Sequence, residues 1–525
     1  ARCRSRVVSM GCVGRSCSSR QPWRLARRER DEQWLKLGVE LPIQPPSIPL
    51  SSVLVPHGRL PRLSAAFSRT SEDARGSKCS AGVVYSAGRD AAGPVGASDA
   101  VSTPLRVCYL GGSVTEQKAG WRPRLTQWIR AQLAGGPPGQ VDRSVYSLDK
   151  DESTTDGRVE EIRAWCGNSG SKVLAFLTHE WVVKPAPDLL FIELAINDGD
   201  TLLETDDEQS IGCALEGIVR QVKEKLPHCE ICFLLMYVRG DLPLTLRTGS
   251  AAWAHNTDNT AADAYHVYIP ALHTRIGAHY GAPIINLIPL MSRLSSAQCV
   301  RAFRDDCHLN EEGAILVAAV IAQCLRELTA NLPIAHLASS PLPRPLHLNH
   351  WSRGSTRDVD PRELSFFYIH ASPPPHELAS IQSQIISRHT QLDVDPLKYS
   401  AQRAWWLLYP GETAQVSFRG SRLAILTMIG PDAGKLVCEV TTASGGRRRT
   451  SQSLLDRWAY FWRVAVVMVA EGLPSGVEHV ARLSLEREKP DPGVLKRLPT
   501  GQHWEQCVAE SKDHKLWLMY WLVGE

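Results

Sequence analysis

The sequence predicts an α/β protein in which a parallel sheet lies between helices, followed by a small β-sandwich. Three observations carry this. Between residues 105 and 328, short apolar runs alternate with amphipathic stretches of helical period, the pattern of repeated βαβ units. The run Leu189–Ile196 is nearly continuous hydrophobe, as a parallel strand covered on both faces requires. From about Lys398 onward helical periodicity fades, and short strand-like segments separated by turn residues take over.

The 525 residues allow two to four domains at about 150 residues each. With 43% apolar and 22% charged residues, the composition is that of a globular protein, and no apolar run approaches the roughly 18 residues that a membrane span needs. The formal charge of +4 hides an asymmetry, because the first 30 residues hold nine Arg and one Glu. The remainder is mildly acidic, which excludes an electrostatic case for nucleic acid. The Arg- and Ser-rich leader reads as a disordered or targeting segment over residues 1–55. A start at Met10 would give MGCVGRS, which places Arg15 where a myristoylation signal wants Ser or Thr, so the localisation stays open. The 14 Cys are scattered and several lie in apolar runs (Cys108, Cys232, Cys324), which marks them as structural thiols. The one Cys229-x-x-Cys232 pair lacks the second pair or the histidines of a zinc site.

In chain order, Leu41–Pro56 is Pro- and Ser-rich and reads as extended, and Leu60–Phe67 as an amphipathic helix. Lys78–Pro104 reads as a surface insertion. The segment Arg106–Gln117, RVCYLGGSVTEQ, reads as strand, turn and helix. Gly111 and Gly112 are expected to take backbone angles that a side chain would forbid, leaving the Ser113 hydroxyl and amide free at a strand's carboxyl end, where α/β proteins bind ligands. A helix follows, with Trp121, Leu125, Trp128 and Ile129 on one face. Ala134–Arg163 reads as a second polar insertion that ends in the turn Trp165–Ser171, WCGNSGS. Asn197 stops the strand Leu189–Ile196 on the same rim as Ser113, where its amide can donate to a developing oxyanion. A helix at Ser210–Leu226, a strand at Glu230–Val238, a loop at Arg239–Thr260, a helix around Ala261–His279 and a strand at Pro283–Leu287 complete the alternation. The last helix opens after Asn310, a capping residue, with Ile315, Leu316, Ala319, Ile321 and Leu325 on its apolar face. Just before it stand Asp305 and His308. At that three-residue spacing a carboxylate reaches the imidazole, fixes its tautomer and stabilises an imidazolium.

Ser at a first strand end, a Gly-rich turn, Asn after a later strand and Asp-x-x-His before the last helix, in that order, resemble the SGNH hydrolase superfamily, also called GDSL-type esterases and lipases. The matching pieces are GGSVT, GNSGS, PDLLFIELAIND and DDCH, within Leu60–Leu332. The resemblance implies a three-layer α/β/α domain around a flavodoxin-like parallel sheet, with ester hydrolysis through a serine acyl-enzyme and no cofactor or metal. It makes Ser113 the nucleophile, His308 the general base and then acid, and Asp305 its orienter. The oxyanion hole would be the Ser113 amide, an amide from Gly167 or Gly170, or from Asn168 since only its N–H is needed, and the Asn197 side chain. No G-x-S-x-G elbow surrounds Ser113, which argues against an ordinary α/β-hydrolase.

The resulting domain expectation is a catalytic unit over 56–335 with insertions near 75–104 and 134–163, a linker over 336–395 and a sandwich over 396–525. The last, with AWWLLYP, AQVSFRG, LAILTMI, LVCEVTT and VARLSLE as its strands, resembles the jelly-roll domain that accompanies some carbohydrate esterases of this superfamily. Seven Trp (Trp405, Trp406, Trp458, Trp462, Trp504, Trp517 and Trp521) offer faces for glycan contact or core filling, and Arg447–Arg449 reads as a solvated hairpin tip. The expected substrate is an acylated small molecule or carbohydrate. A noncatalytic glycan-binding protein and an acyltransferase using the same serine are the alternatives.

Overall fold

The computed structural model describes residues 41–74, 103–134, 158–239, 263–330, 341–346, 406–490 and 514–524, with short breaks at 42, 45–46, 59, 206–207, 431, 443, 456–462, 475–476, 489 and 515. The N-terminal leader, the bodies of both expected insertions, the loop 240–262 and most of the linker lie outside the described residues. So do the side chains of all seven C-terminal tryptophans.

The first domain is a six-stranded sheet of β1 (Leu54–Val55), β2 (Leu105–Gly111), β3 (Val159–Trp165), β4 (Leu189–Glu193), β5 (Glu230–Leu235) and β6 (Ile284–Asn286), in the order β1-β6-β5-β4-β2-β3. All neighbours are parallel except β1, which pairs antiparallel with β6 at the edge. Counting β2 to β6 as first to fifth, the order is 2-1-3-4-5, the flavodoxin-like arrangement. Helices α1 (Pro61–Ala74), α3 (Trp121–Leu133) and α10 (Glu311–Thr329) cover one face, and α4 (Ser171–Thr178), α6 (Glu208–Lys225) and α7 (Ile269–His279) the other. The alternation along β2 shows the two faces directly: Val107 and Tyr109 join the first layer's core, Cys108 and Leu110 the second's. The strand order reverses between β2 and β4, and ligands of such sheets bind outside the carboxyl ends at that switch point.

Several boundaries differ from the sequence expectation. Residues before 56 already belong to the core, with Leu41, Ile43, Ile48 and Leu50 buried ahead of β1. The second insertion ends earlier than Arg163, because Val159–Trp165 is edge strand β3. Its Glu160, Glu161 and Arg163 mask the apolar pattern, and charges of this kind are what an edge strand carries. Strand β4 stops at Glu193, so Asn197 sits in the first turn of helix α5 (Ala195–Thr205) and not on the strand itself. Asn310 occupies the N-cap of α10 without a side-chain cap; its amide instead donates to the carbonyls of Val300 and Phe303.

The C-terminal domain is a sandwich of two antiparallel sheets, β11-β10-β13-β8 and β12-β9-β14-β7. Its strands are β7 (Trp406–Leu408), β8 (Thr413–Arg419), β9 (Arg422–Ile429), β10 (Lys435–Thr442), β11 (Arg447–Ser453), β12 (Arg463–Ala470), β13 (Glu478–Leu485) and β14 (Leu516–Gly524). Arg447–Arg449 is therefore not a hairpin tip but the start of β11, paired with β10 and exposed along its outer edge. Along β9, Leu423, Ile425 and Ile429 fill the sandwich, while Ala424, Leu426 and Met428 face outward into the hydrophobic cluster of the α/β domain. Val464 of β12 joins them there. All nine described cysteines are free thiols, and Cys229 and Cys232 belong to different core clusters.

Candidate active site

Strand β2 ends at Gly111, and a short helix, α2 (Ser113–Glu116), begins two residues later, so Ser113 emerges at the switch point. Space, not backbone angle, requires the two glycines. Neither takes a positive φ. A β-carbon on Gly111 would lie 2.2 Å from Thr115 Oγ1, and one on Gly112 1.8 Å from Asn197 Oδ1. The pair thus lets the nucleophile turn settle directly against Asn197, a buried residue.

After α8 (Ile288–Met291) and α9 (Ser296–Ala302), His308 lies on the loop that leads into α10. Its Nε2 is 2.8 Å from Ser113 Oγ, and its Nδ1 lies 3.0 and 2.9 Å from the two Asp305 oxygens. Asp305 Oδ1 also accepts the backbone N–H groups of Cys307 (3.1 Å) and His308 (2.7 Å). Partial burial alone would raise the Asp305 carboxyl, but the bond and charge of His308 with these two amides outweigh it and hold the group well below the usual carboxylate range. Asp305 stays an anion whose partners fix His308 with Nδ1 protonated and Nε2 facing the serine. The adjacent Asp306 takes no part in this contact; its carboxyl accepts from the Cys307 thiol and is raised by burial and by Asp305.

The turn Cys166–Ser171 stands beside Ser113. A β-carbon on Gly167 would be 3.9 Å from Ser113 Cβ, whereas Gly170 is the N-cap of α4 and packs against Asn197 and Asp198. Asn168 between them is left-handed, at φ 54°. The structure therefore brings Ser113, His308, Asp305, Asn197 and Gly167 together and sets Gly170 behind them.

Three supporting sets of contacts have no signal in the sequence. Gln117, directly after α2, accepts from the Leu309 N–H and donates to the Leu309 carbonyl, both at 3.2 Å, and so ties the nucleophile turn to the His308 loop. Buried Asp198 accepts Ser171 N–H at 2.6 Å and Ser171 O–H at 2.5 Å, and His273 Nε2 lies 2.9 Å away, joining the starts of α4 and α5 to α7. Under Ser113, Thr115 donates to Glu193 Oε2 at 2.8 Å, and burial pushes the Glu193 carboxyl up to about 8. No short spacing signals these contacts, because each spans 27 or more residues of sequence. Among the described residues, Asp305, Cys307 and His308 form a group whose nitrogen, sulfur and oxygen donors all lie within 4.8 Å of one another.

Residues 109–315 match the GDSL-like Lipase/Acylhydrolase family. No curated protein matches the chain. Solved structures similar to it include a two-domain esterase (CEX) active on acetylated mannans, co-crystallized with mannopentaose, at 14% identity and a TM-score of 0.48, covering 80% of this chain and 90% of that one. An acetyl xylan esterase, AlAXEase, is similar at 14% identity and a TM-score of 0.30 over 41% of this chain and 98% of its own. A GDSL-like lipase from Bacteroides thetaiotaomicron is similar at 16% identity and a TM-score of 0.29 over 43% and 93%. The matched segment begins within β2 and ends within α10, so it spans every residue of the site: the α/β domain carries a segment similar to the GDSL-like lipase/acylhydrolase family, and the chain is a hydrolase that acts on esters.

Proposed function

We propose that the chain is a serine esterase that hydrolyses an acyl ester, acetyl in the reading we favour, of a glycan or glycoconjugate through an acyl-enzyme. The observation that carries the mechanism is the unbroken chain Ser113 Oγ, His308 Nε2, His308 Nδ1 and Asp305, each step within 3.0 Å. As the Ser113 oxygen attacks the ester carbonyl, His308 Nε2 takes its proton, and the Asp305 carboxylate stabilises the imidazolium. The carbonyl oxygen becomes an anion, which the N–H groups of Ser113 and Gly167 and the Asn197 amide receive. Each such donor contributes about 3 kcal/mol to the transition state. His308 then gives the proton to the leaving alcohol, and water repeats the sequence on the acyl-enzyme. The preference for a glycan ester rests on the likeness of the sandwich to domains that accompany carbohydrate esterases.

A fluorophosphonate probe tests the nucleophile. Wild type should be labelled, while folded Ser113→Ala and His308→Ala should not be; labelling of Ser113→Ala would sink the mechanism. Acetylated sugars and polymers, screened against longer acyl chains, then test the substrate class.

A further inference from the structure

Three donors of different chemistry converge on the far side of the His308 ring. Cys307 Sγ lies 3.6 Å from His308 Nδ1, which is itself 2.9 Å from an Asp305 oxygen. A tetrahedral zinc with bonds of about 2.3 Å to sulfur and 2.0–2.1 Å to nitrogen has an S···N edge of about 3.6 Å and an N···O edge of about 3.3 Å. The first edge is already present, and the second requires Asp305 to retreat by a few tenths of an ångström. The surroundings favour a cation. The anionic Asp305 carboxylate lies within the donor group, and a divalent cation would neutralise it. His308 and Asp305 are 22% and 41% exposed, so solvent reaches the group and a fourth position is left for water.

We propose that Asp305, Cys307 and His308 form an inhibitory site for zinc or a similar thiophilic divalent cation, a reading that rests on His308 acting as the general base. Binding would release the Cys307 thiol proton to solvent and form metal bonds to the thiolate, an Asp305 oxygen and the Nδ1 lone pair. The proton that Nδ1 carries in the resting site then moves to Nε2. An imidazole held by metal at Nδ1 presents Nε2–H to Ser113, a donor where the reaction needs an acceptor. The hydrogen bond from Nδ1 to Asp305 is lost in the same event. Occupancy therefore stops proton abstraction without blocking the approach to Ser113.

The test uses cobalt as a spectroscopic probe and zinc as the inhibitor, on the full chain, with Cys307→Ser and Cys307→Ala alongside. In wild type, one equivalent of cobalt should give a near-ultraviolet thiolate-to-metal charge-transfer band that both variants lack. Zinc should inhibit turnover of a small aryl acetate, a chelator should restore it, and the half-inhibiting zinc concentration should rise by at least about ten-fold in the variants. Absence of the band in wild type, its persistence in folded variants, or undiminished zinc inhibition of those variants would each overturn the site. The cobalt band does not depend on hydrolysis, so a wild type that binds cobalt but turns over no ester would count against the esterase reading alone.

Discussion

At the scale of single residues, Glu193 is the buried acid that sits closest beneath the nucleophile without belonging to it. One oxygen accepts from Thr115 and the other has no protein partner among the described residues. Burial leaves the folded carboxyl titrating at about 8, against 4.5 for the exposed group. Below pH 4.5 both states are protonated and nothing is lost. Between pH 4.5 and about 8 the unfolded chain ionises while the folded one does not, so folding loses up to about 1.4 kcal/mol per pH unit as pH rises. Above that window both states are ionised and the loss levels off. Glu193→Gln keeps the acceptor for Thr115 without the charge. Its denaturation midpoint should decline less between pH 5 and 8 than that of wild type, keeping only the fall up to about pH 7 that belongs to Glu230, whose carboxyl burial pushes up to about 7; parallel declines would remove Glu193 as a source.

At the scale of elements, the site depends on two loops being held in register, and Gln117 is the clamp between them. It makes two hydrogen bonds to Leu309, each contributing about 1 kcal/mol, and its removal leaves the Ser113–His308 contact to the loops alone. Gln117→Ala should lower kcat by about ten-fold with little change in KM, because misplacement of the base slows chemistry more than binding. A change in KM alone would reassign Gln117 to substrate contact. Much of the frame around this clamp was legible in the sequence. Strand β4 and helices α6 and α10 follow from long apolar runs and helical period, and the Asp305–His308 contact from its three-residue spacing. What stayed hidden has physical reasons. Strand β3 carries edge charges in place of a clean alternation, and β11 is Arg- and Ser-rich because its outer side meets solvent. The apolar run continues unbroken from β4 into the first turn of α5, which is why the sequence alone places Asn197 at the strand's carboxyl end. Gln117, Glu193 and Asp198 act only through partners distant in sequence, and no local pattern announces them.

At the scale of the whole molecule, the sandwich and the α/β domain share a core. The outward residues Ala424, Leu426, Met428 and Val464 lie in one cluster with Leu174 and Leu177 of α4, the helix that carries the Gly167 turn at its start. Cys166, one residue before Gly167, is fully buried in the same cluster as Val464, and its thiol donates to the Gly167 carbonyl at 3.8 Å. Its own N–H donates to Gly111 at the end of the nucleophile strand. An appendage that only gathers polymer would leave small-ester hydrolysis untouched when its contact is broken. A wall behind the oxyanion turn would not. Val464→Asp places an unpaired carboxylate in this apolar cluster at a cost of about 3 kcal/mol or more. It should lower the melting temperature and cut turnover per phosphonate-titrated active site on a small aryl acetate as strongly as on an acetylated polymer. Normal small-ester turnover per titrated site, with only polymer hydrolysis reduced, would return the sandwich to the role of a substrate-gathering module.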